Sequence, residues 1–412
     1  MTWLLLTIAI VGATVYTGEG APLRNATVVI DGNRITAVAT GLAPPDGARV
    51  IDASSSVVTP GLIDGASRIG LVGIQLESRT VEGTLGPGAD PVRASLRVSD
   101  TFDALSWVLP VARSGGLTSA AIIPTGGILQ GQSAWIDLTE DDPVRRSPLA
   151  LHVSLGSKGN RAGSRARAFL RLREALEDAR LVSSNRGPYL SRNLRPVSLS
   201  AAELGVISLA LDRELPVVFE VDRAADIRTV LQIVREYRLR AILLGAAEGW
   251  KLADEIAATG VPALVNPFEN LPSDFDRLDA RADNALHLHR AGIPVGFTLR
   301  GAAHFAPRLR QAAGNAVRNG FPYDAAIAAI TSVPAQIFRV VDTGVLRPGA
   351  LANLVIWNGD PLEVSSWPTR MLIRGHEVEL RSRQDQLTER YLTPPLDKPG
   401  NAGRVDTGVS AP

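Results

Sequence analysis

A chain of 412 residues with 45% hydrophobic and 21% charged residues has the composition of a soluble globular protein, and is long enough to bury its core without disulfide or metal staples. A net charge of +1 argues against nucleic acid or an anionic membrane as a bulk partner, and the absence of cysteine excludes disulfides, thiolate nucleophiles and cysteine-ligated metals. The basic residues are 40 arginines against 3 lysines, which leaves few amines for catalysis.

The first elements are β-structure. Residues 3–15, WLLLTIAIVGATV, fit either a first buried strand or the core of a signal sequence. No basic residue precedes them and they are short for a stable membrane span, so a cytoplasmic and a periplasmic location both stay open. Residues Asn25 to Ala39 flank Asp31-Gly32 with β-branched side chains, the pattern of a hairpin. The run RVIDASSSVVTPG adds strand structure before Pro60. Residues 76–100 hold turn formers and little periodicity, so a long loop is predicted there.

The middle of the chain alternates strands with helices. Strand-length apolar runs begin at Leu117, Leu149, Leu215, Arg240, Val261 and Ile293. Helical spacing appears in SRARAFLRLREALEDARLV, in ADIRTVLQIVREYR and in GWKLADEIAATG, the last stopping at Gly260. With the run at Pro60 these give seven strands, and SAWIDL at Ser133 is either the eighth or irregular. Repeated strand–helix units predict a parallel sheet with helices outside. The α/β fold that fits best is a closed, TIM-like (β/α)8 barrel over 59–342. An open doubly wound sheet is the other arrangement, although no Gly-rich phosphate loop opens an early helix. Short β-runs return in GALANLVIWNG and TRMLIRGHEVEL. A small composite β-sandwich made of 1–58 and 343–391 is therefore expected, followed by a disordered Pro/Gly-rich tail over 392–412.

Four segments carry a family resemblance: GATVYTGEGAPLRNATVVIDGNRITAV, VVTPGLID, ALHVSLG, and AIAAITSVPAQIFRVVDTGVLRPGALANLVIWNGDPLE. Through them the chain resembles the amidohydrolase superfamily, in its imidazolonepropionase-like branch. The resemblance implies a barrel beside a small β-domain. It also implies hydrolysis of non-peptide C–N bonds in small amide-like compounds, using one or two divalent metals that polarise the carbonyl and activate water. The family's first metal signature is Pro-Gly-Leu-Ile-Asp-x-His-x-His, and here the two His positions are Ala66 and Arg68. One has no donor atom and the other is a fixed cation. Where later strands of the family carry His, His and Asp, this chain has Glu220, then Gly245 or Ala246, then no Asp in IPVGFTLRGAAH. Lys158 is the lysine nearest a strand end, and the closing Asp-Ala-Asp is replaced by Leu351-Ala352-Asn353.

The sequence therefore predicts a scaffold without the family's metal site: no catalytic residue, metal ligand or cofactor is assigned. Glu220 ends an apolar strand and needs a cationic partner if buried, which Arg68 or Arg300 could supply. Arg68, Glu220, Arg300 and His304, which follows the last barrel strand, are the ligand-binding candidates. Asp222 and Glu248 lie just beyond strand ends and are weaker ones. His287 and His289 fall on different faces of a helical pattern, His152 lies inside an apolar strand and His376 in the terminal β-region, all structural readings. The expected partners are a small amide- or peptide-like ligand, a second copy of the chain in a homodimer, or an active paralogue. The alternative is a metal-independent hydrolase using carboxylates at the barrel mouth.

Overall fold

The computed structural model describes residues 7–85, 90–156, 164–191, 196–300 and 303–392. Lys158 and residues 393–412 of the expected tail lie outside the described residues. Among the described residues eighteen strands are distributed among three sheets.

The first sheet joins both ends of the chain. Its N-terminal strands are β1 (Ile8–Val15), β2 (Leu23–Asp31), β3 (Arg34–Thr40), β4 (Arg49–Asp52) and β5 (Val57–Pro60). The hairpin β2–β3 turns through Gly32 at φ +61°. The strand β1 pairs antiparallel with β2 and parallel with β4 and β5. The far edge of β5 then receives β16 (Leu354–Trp357) antiparallel, and β17 (Pro368–Ile373) and β18 (His376–Glu377) extend the sheet. Apolar side chains on one face of these strands bury a core with Val345, Leu346 and Ala350. The C-terminal part also contains a helix, Arg383–Leu392, that the alternating pattern did not predict.

Gly61 carries the chain from β5 into the second sheet. A Cβ there would meet Thr118 Oγ1 at 2.0 Å, so the close approach of the two backbones requires glycine. The next strands are β6 (Leu62–Ser67), β7 (Leu117–Ile122), β8 (Leu129–Gln132), β9 (Ala134–Asp137), β10 (Val144–Arg146) and β11 (Leu151–Ser154). The second sheet has the order β10-β9-β7-β6, with β6 and β7 parallel. The third adds β12 (Val217–Val221), β13 (Ala241–Gly245), β14 (Ala263–Val265) and β15 (Val295–Phe297), all parallel to β11. SAWIDL does form a strand, but its direction differs from that of the others: β9 runs antiparallel to β7, and β8 antiparallel to β11.

Two sets of hydrogen bonds connect the second and third sheets. Between β8 and β9, Ser133 gives its N–H to the Ala150 carbonyl and accepts from Leu149 N–H, at 2.9 and 2.8 Å. At the other side, Thr298 Oγ1 beyond β15 donates to Asp64 and to the Ala66 carbonyl of β6, at 2.6 and 2.9 Å. Ile63, Ala121, Trp135, Val218, Ile242 and Leu264 share one buried cluster drawn from both sheets.

Helices cover the outer faces. The helix Arg165–Ser184 starts at Ser164, whose hydroxyl accepts from Arg167 N–H, and buries Ala168, Leu172, Ala175, Leu176 and Ala179 on one stripe. The helix Ala224–Tyr237 does the same with Ile227, Val230, Leu231 and Val234. No helix among the described residues is long and apolar enough to cross a membrane.

Candidate functional site

Parallel register determines which residues meet. His152, Val218 and Ile242 are paired across β11, β12 and β13, and two residues further on Ser154, Glu220 and Leu244 form the next layer. Beyond that layer the C-terminal ends of β12, β13 and β15 bring Glu220, Asp222, Gly245 and Arg300 together.

Arg300 is at the centre of this group. Its backbone is left-handed at φ +49° and its side chain is 5% exposed. Its guanidinium lies 3.5 Å from Glu220 and 3.3 Å from Asp222, and also bonds Glu269 from the loop after β14. A second enclosed guanidinium, Arg277, reaches Asp222 at 2.9 Å and Glu269 at 3.2 Å. Burial alone would lower the Arg300 pKa, but Asp222, Glu269 and Glu220 outweigh it and raise it above the ordinary arginine range. The cluster fills the space beside β13: a Cβ at Gly245 would come 2.3 Å from Asp222 Oδ1 and 2.5 Å from Arg300 Nη1.

The other predicted site residues make different contacts. Arg68 takes a different partner from the one expected, its Nη2 donating to Thr84 Oγ1 at 2.7 Å. The loop that the sequence marked as aperiodic delivers Thr84, which is itself 2.9 Å from Thr125 Oγ1. Arg68 Nε is buried without a hydrogen-bond partner, and burial lowers the residue's pKa. His304 is exposed, with its ring beside that of Phe305 at 4.2 Å. Glu248 is buried and accepts from the backbone N–H groups of Ala224 and Asp279, a loop-fixing role. His287 lies 3.3 Å from Asp283, and the His289 ring is 4.9 Å from that of Phe321. Among the described residues no group of three or more His, Asp or Glu side chains is placed to hold a metal ion.

Sequence reasoning passed over Glu269, Arg277 and Asp64. Asp64 is inside the Pro60–Asp64 string and could have been singled out as a carboxylate on an otherwise apolar strand. It is fully enclosed and accepts from Thr298 Oγ1 at 2.6 Å and from Ala66 N–H at 3.2 Å. Burial outweighs these bonds and pushes its pKa up to about 6. The folded state therefore holds this proton more tightly than the unfolded chain. The stabilisation is complete below the unfolded value of 3.8 and is lost as pH rises through about 6. In urea titrations, the stability of the wild type relative to Asp64→Asn is expected to fall by ~2 kcal/mol between about pH 4 and pH 7. A constant difference across that range would mean that Asp64 titrates normally.

Residues 219–378 match the model of the Amidohydrolase family. A stretch of 110 residues is 30% identical to the dihydroorotase of Geobacter sulfurreducens, and it covers 25% of this chain and 25% of that relative. This chain therefore matches about a quarter of the curated relative's length. An amidohydrolase structure from Thermotoga maritima is similar at a TM-score of 0.83 and 22% identity, over 91% of this chain and 100% of that one. Molinate hydrolase gives a TM-score of 0.57 at 18% identity, over 98% and 100%. Phenylurea hydrolase B gives 0.58 at 18% identity, over 91% and 97%. Residues 219–378 thus match the Amidohydrolase family, and the chain shares its fold with these solved structures.

Proposed function

We propose that this chain is an amidohydrolase relative in which an ion-pair cluster has replaced the metal centre. In this reading it binds a small amide- or peptide-like molecule at the strand ends, or supports a second copy or an active paralogue as a subunit. The family's own reaction is hydrolysis of non-peptide C–N bonds, and degeneracy of that reaction is the core of the proposal. The observation that carries it is the packing at Gly245, where Asp222 and Arg300 take the volume that a side chain would need. A divalent cation does not suit the donors present. Ala66 offers none, Arg68 is a cation, and two further guanidiniums hold the carboxylates of Asp222 and Glu269.

The wider architecture supports the same ancestry. Leaving the edge strand β10 aside and taking the antiparallel β8–β9 run as one position, the second and third sheets supply eight positions linked at Ser133 and at Thr298, consistent with a closed barrel over 59–342. The segments 1–58 and 343–391 then form the accompanying β-domain.

A second reading has an observation of its own. Glu220, at the strand ends and 20% exposed, is the most accessible carboxylate of the cluster, so a metal-independent hydrolase using carboxylates at the barrel mouth is the alternative. Elemental analysis and hydrolysis assays on small amides, with and without added zinc or manganese, separate the two. We expect no stoichiometric transition metal and no turnover under either condition. A full equivalent of metal retained against a weak chelator, with turnover, would overturn both readings. Metal-free turnover that disappears in Glu220→Gln would select the second.

A further inference from the structure

The opposite ends of the strands carry a different chemistry. A cavity of about 340 Å³ opens between the starts of β13, β14 and β15, at Ala241, Pro262 and Pro294, and the end of the helix Ser332–Phe338. Arg213, Arg240 and Arg339 line it, and no acidic residue does. Arg146 stands close enough for its charge to act on Arg240, as do Arg213 and Arg339. Of the acids that line the adjoining depressions, Glu236 pairs with Arg173 and Glu255 with Arg228, while Asp212 directly precedes Arg213 in the chain. Arg240 Nη2 is buried and has no hydrogen-bond partner.

This arrangement opposes stability in three ways. Like charges repel at short range, and burial adds a desolvation cost to the Arg240 guanidinium. An enclosed N–H without an acceptor leaves its desolvation uncompensated. The backbone adds the third: Arg213 and Arg339 have φ values of +65° and +56°, the left-handed region where glycine is the favoured residue. Folding alone would be served better by glycine at both positions and by a neutral residue at 240. The strand N-terminal end is also the face where a fold of this kind ordinarily keeps structural rather than functional groups.

We propose that this cavity is a binding site for a small soluble polyanion of the diphosphate class. An acceptor-rich anion supplies what the site lacks, namely charge for several guanidiniums and an acceptor for Arg240 Nη2. One carboxylate has too few lone pairs to serve several planar forks at once, whereas a diphosphate presents oxygens in several directions. The volume is in the range of small-molecule pockets, which at ~300–1,000 Å³ fit a metabolite rather than an extended surface. The site is separate from the Arg300 cluster at the other strand ends, and it stands whether or not that cluster has replaced a metal.

The probe is inorganic pyrophosphate, measured by calorimetry and by thermal unfolding of the full chain with ionic strength held constant by sodium chloride. The wild type is expected to bind it and to melt at a higher temperature with it than without. Arg240→Gln is expected to weaken binding by at least ~tenfold, the loss of a charge-assisted hydrogen bond. Arg213→Gly and Arg339→Gly are each expected to weaken binding similarly. Because glycine suits their backbone, they should leave the unliganded melting temperature equal or higher. If both glycine variants instead melt lower and keep wild-type affinity, the arginines are structural and the proposal fails. A pyrophosphate effect no larger than that of sulfate or chloride would reduce it to general screening and overturn it as well. An oligonucleotide that binds where pyrophosphate does not would move the patch to nucleic acid, which is equally contrary to the proposal.

Discussion

Replacing Arg300 with methionine is expected to destabilise the protein by about 3–5 kcal/mol, measured as a loss in urea midpoint at unchanged slope. The size follows from what stays behind. Asp222 and Glu269 each keep Arg277, but two enclosed guanidiniums now share a group of three carboxylates, and removing one leaves a single cation for Asp222 and Glu269 and takes away the cation beside Glu220. Glu220→Gln should cost much less, about 1 kcal/mol, because Arg300 retains Asp222 and Glu269 and because Glu220 is 20% exposed. The contrast between the two variants is the measurement. Equal and small losses would mean that the cluster is solvated and that Arg300 is replaceable.

The second large effect is expected in acid, at His152. This residue lies on β11, 1% exposed, with Nε2 buried and without a hydrogen-bond partner. Burial pushes its pKa down to about 3 from an ordinary 6.5. The folded protein keeps the ring neutral where the unfolded chain takes up a proton. The stability this neutral ring allows is present above about pH 6.5 and is withdrawn as pH falls toward 3, by up to ~4–5 kcal/mol. In His152→Leu no proton is taken up at this position, and Nε2 has no bond to lose. The variant is expected to be close to the wild type near neutrality and to unfold at a distinctly lower pH. An acid midpoint unchanged from the wild type would show that the ring is hydrated in the folded state.

The strands were largely legible because their runs are mostly apolar and mostly buried, as at Leu117–Ile122, Val217–Val221 and Ala241–Gly245. The direction of β9 was not legible, because alternation with period two reads the same in either direction. The helices Leu309–Arg318 and Tyr323–Ala329 escaped for another reason: they bury mainly alanine, which gives a weak apolar stripe. At the candidate site, Glu220 and Arg300 stood out because a charge beside an apolar strand needs an explanation. Their companions Glu269 and Arg277 come from a loop without periodicity, where only the folded chain determines which side chains meet. The position of Arg68 depended on Thr84 for the same reason.

The first sheet has a consequence for how the protein is made. Val57 on β5 pairs with Trp357 on β16, so one edge of β5 has no partner until three hundred further residues have been synthesised. At about 5–20 residues per second, that takes roughly 15–60 s. During this interval the emerging chain presents an open row of N–H and C=O groups next to a largely formed meander, a template for pairing with neighbouring nascent chains. Pairing between neighbouring nascent chains is therefore a hazard of synthesis that the equilibrium stability of the finished fold does not measure.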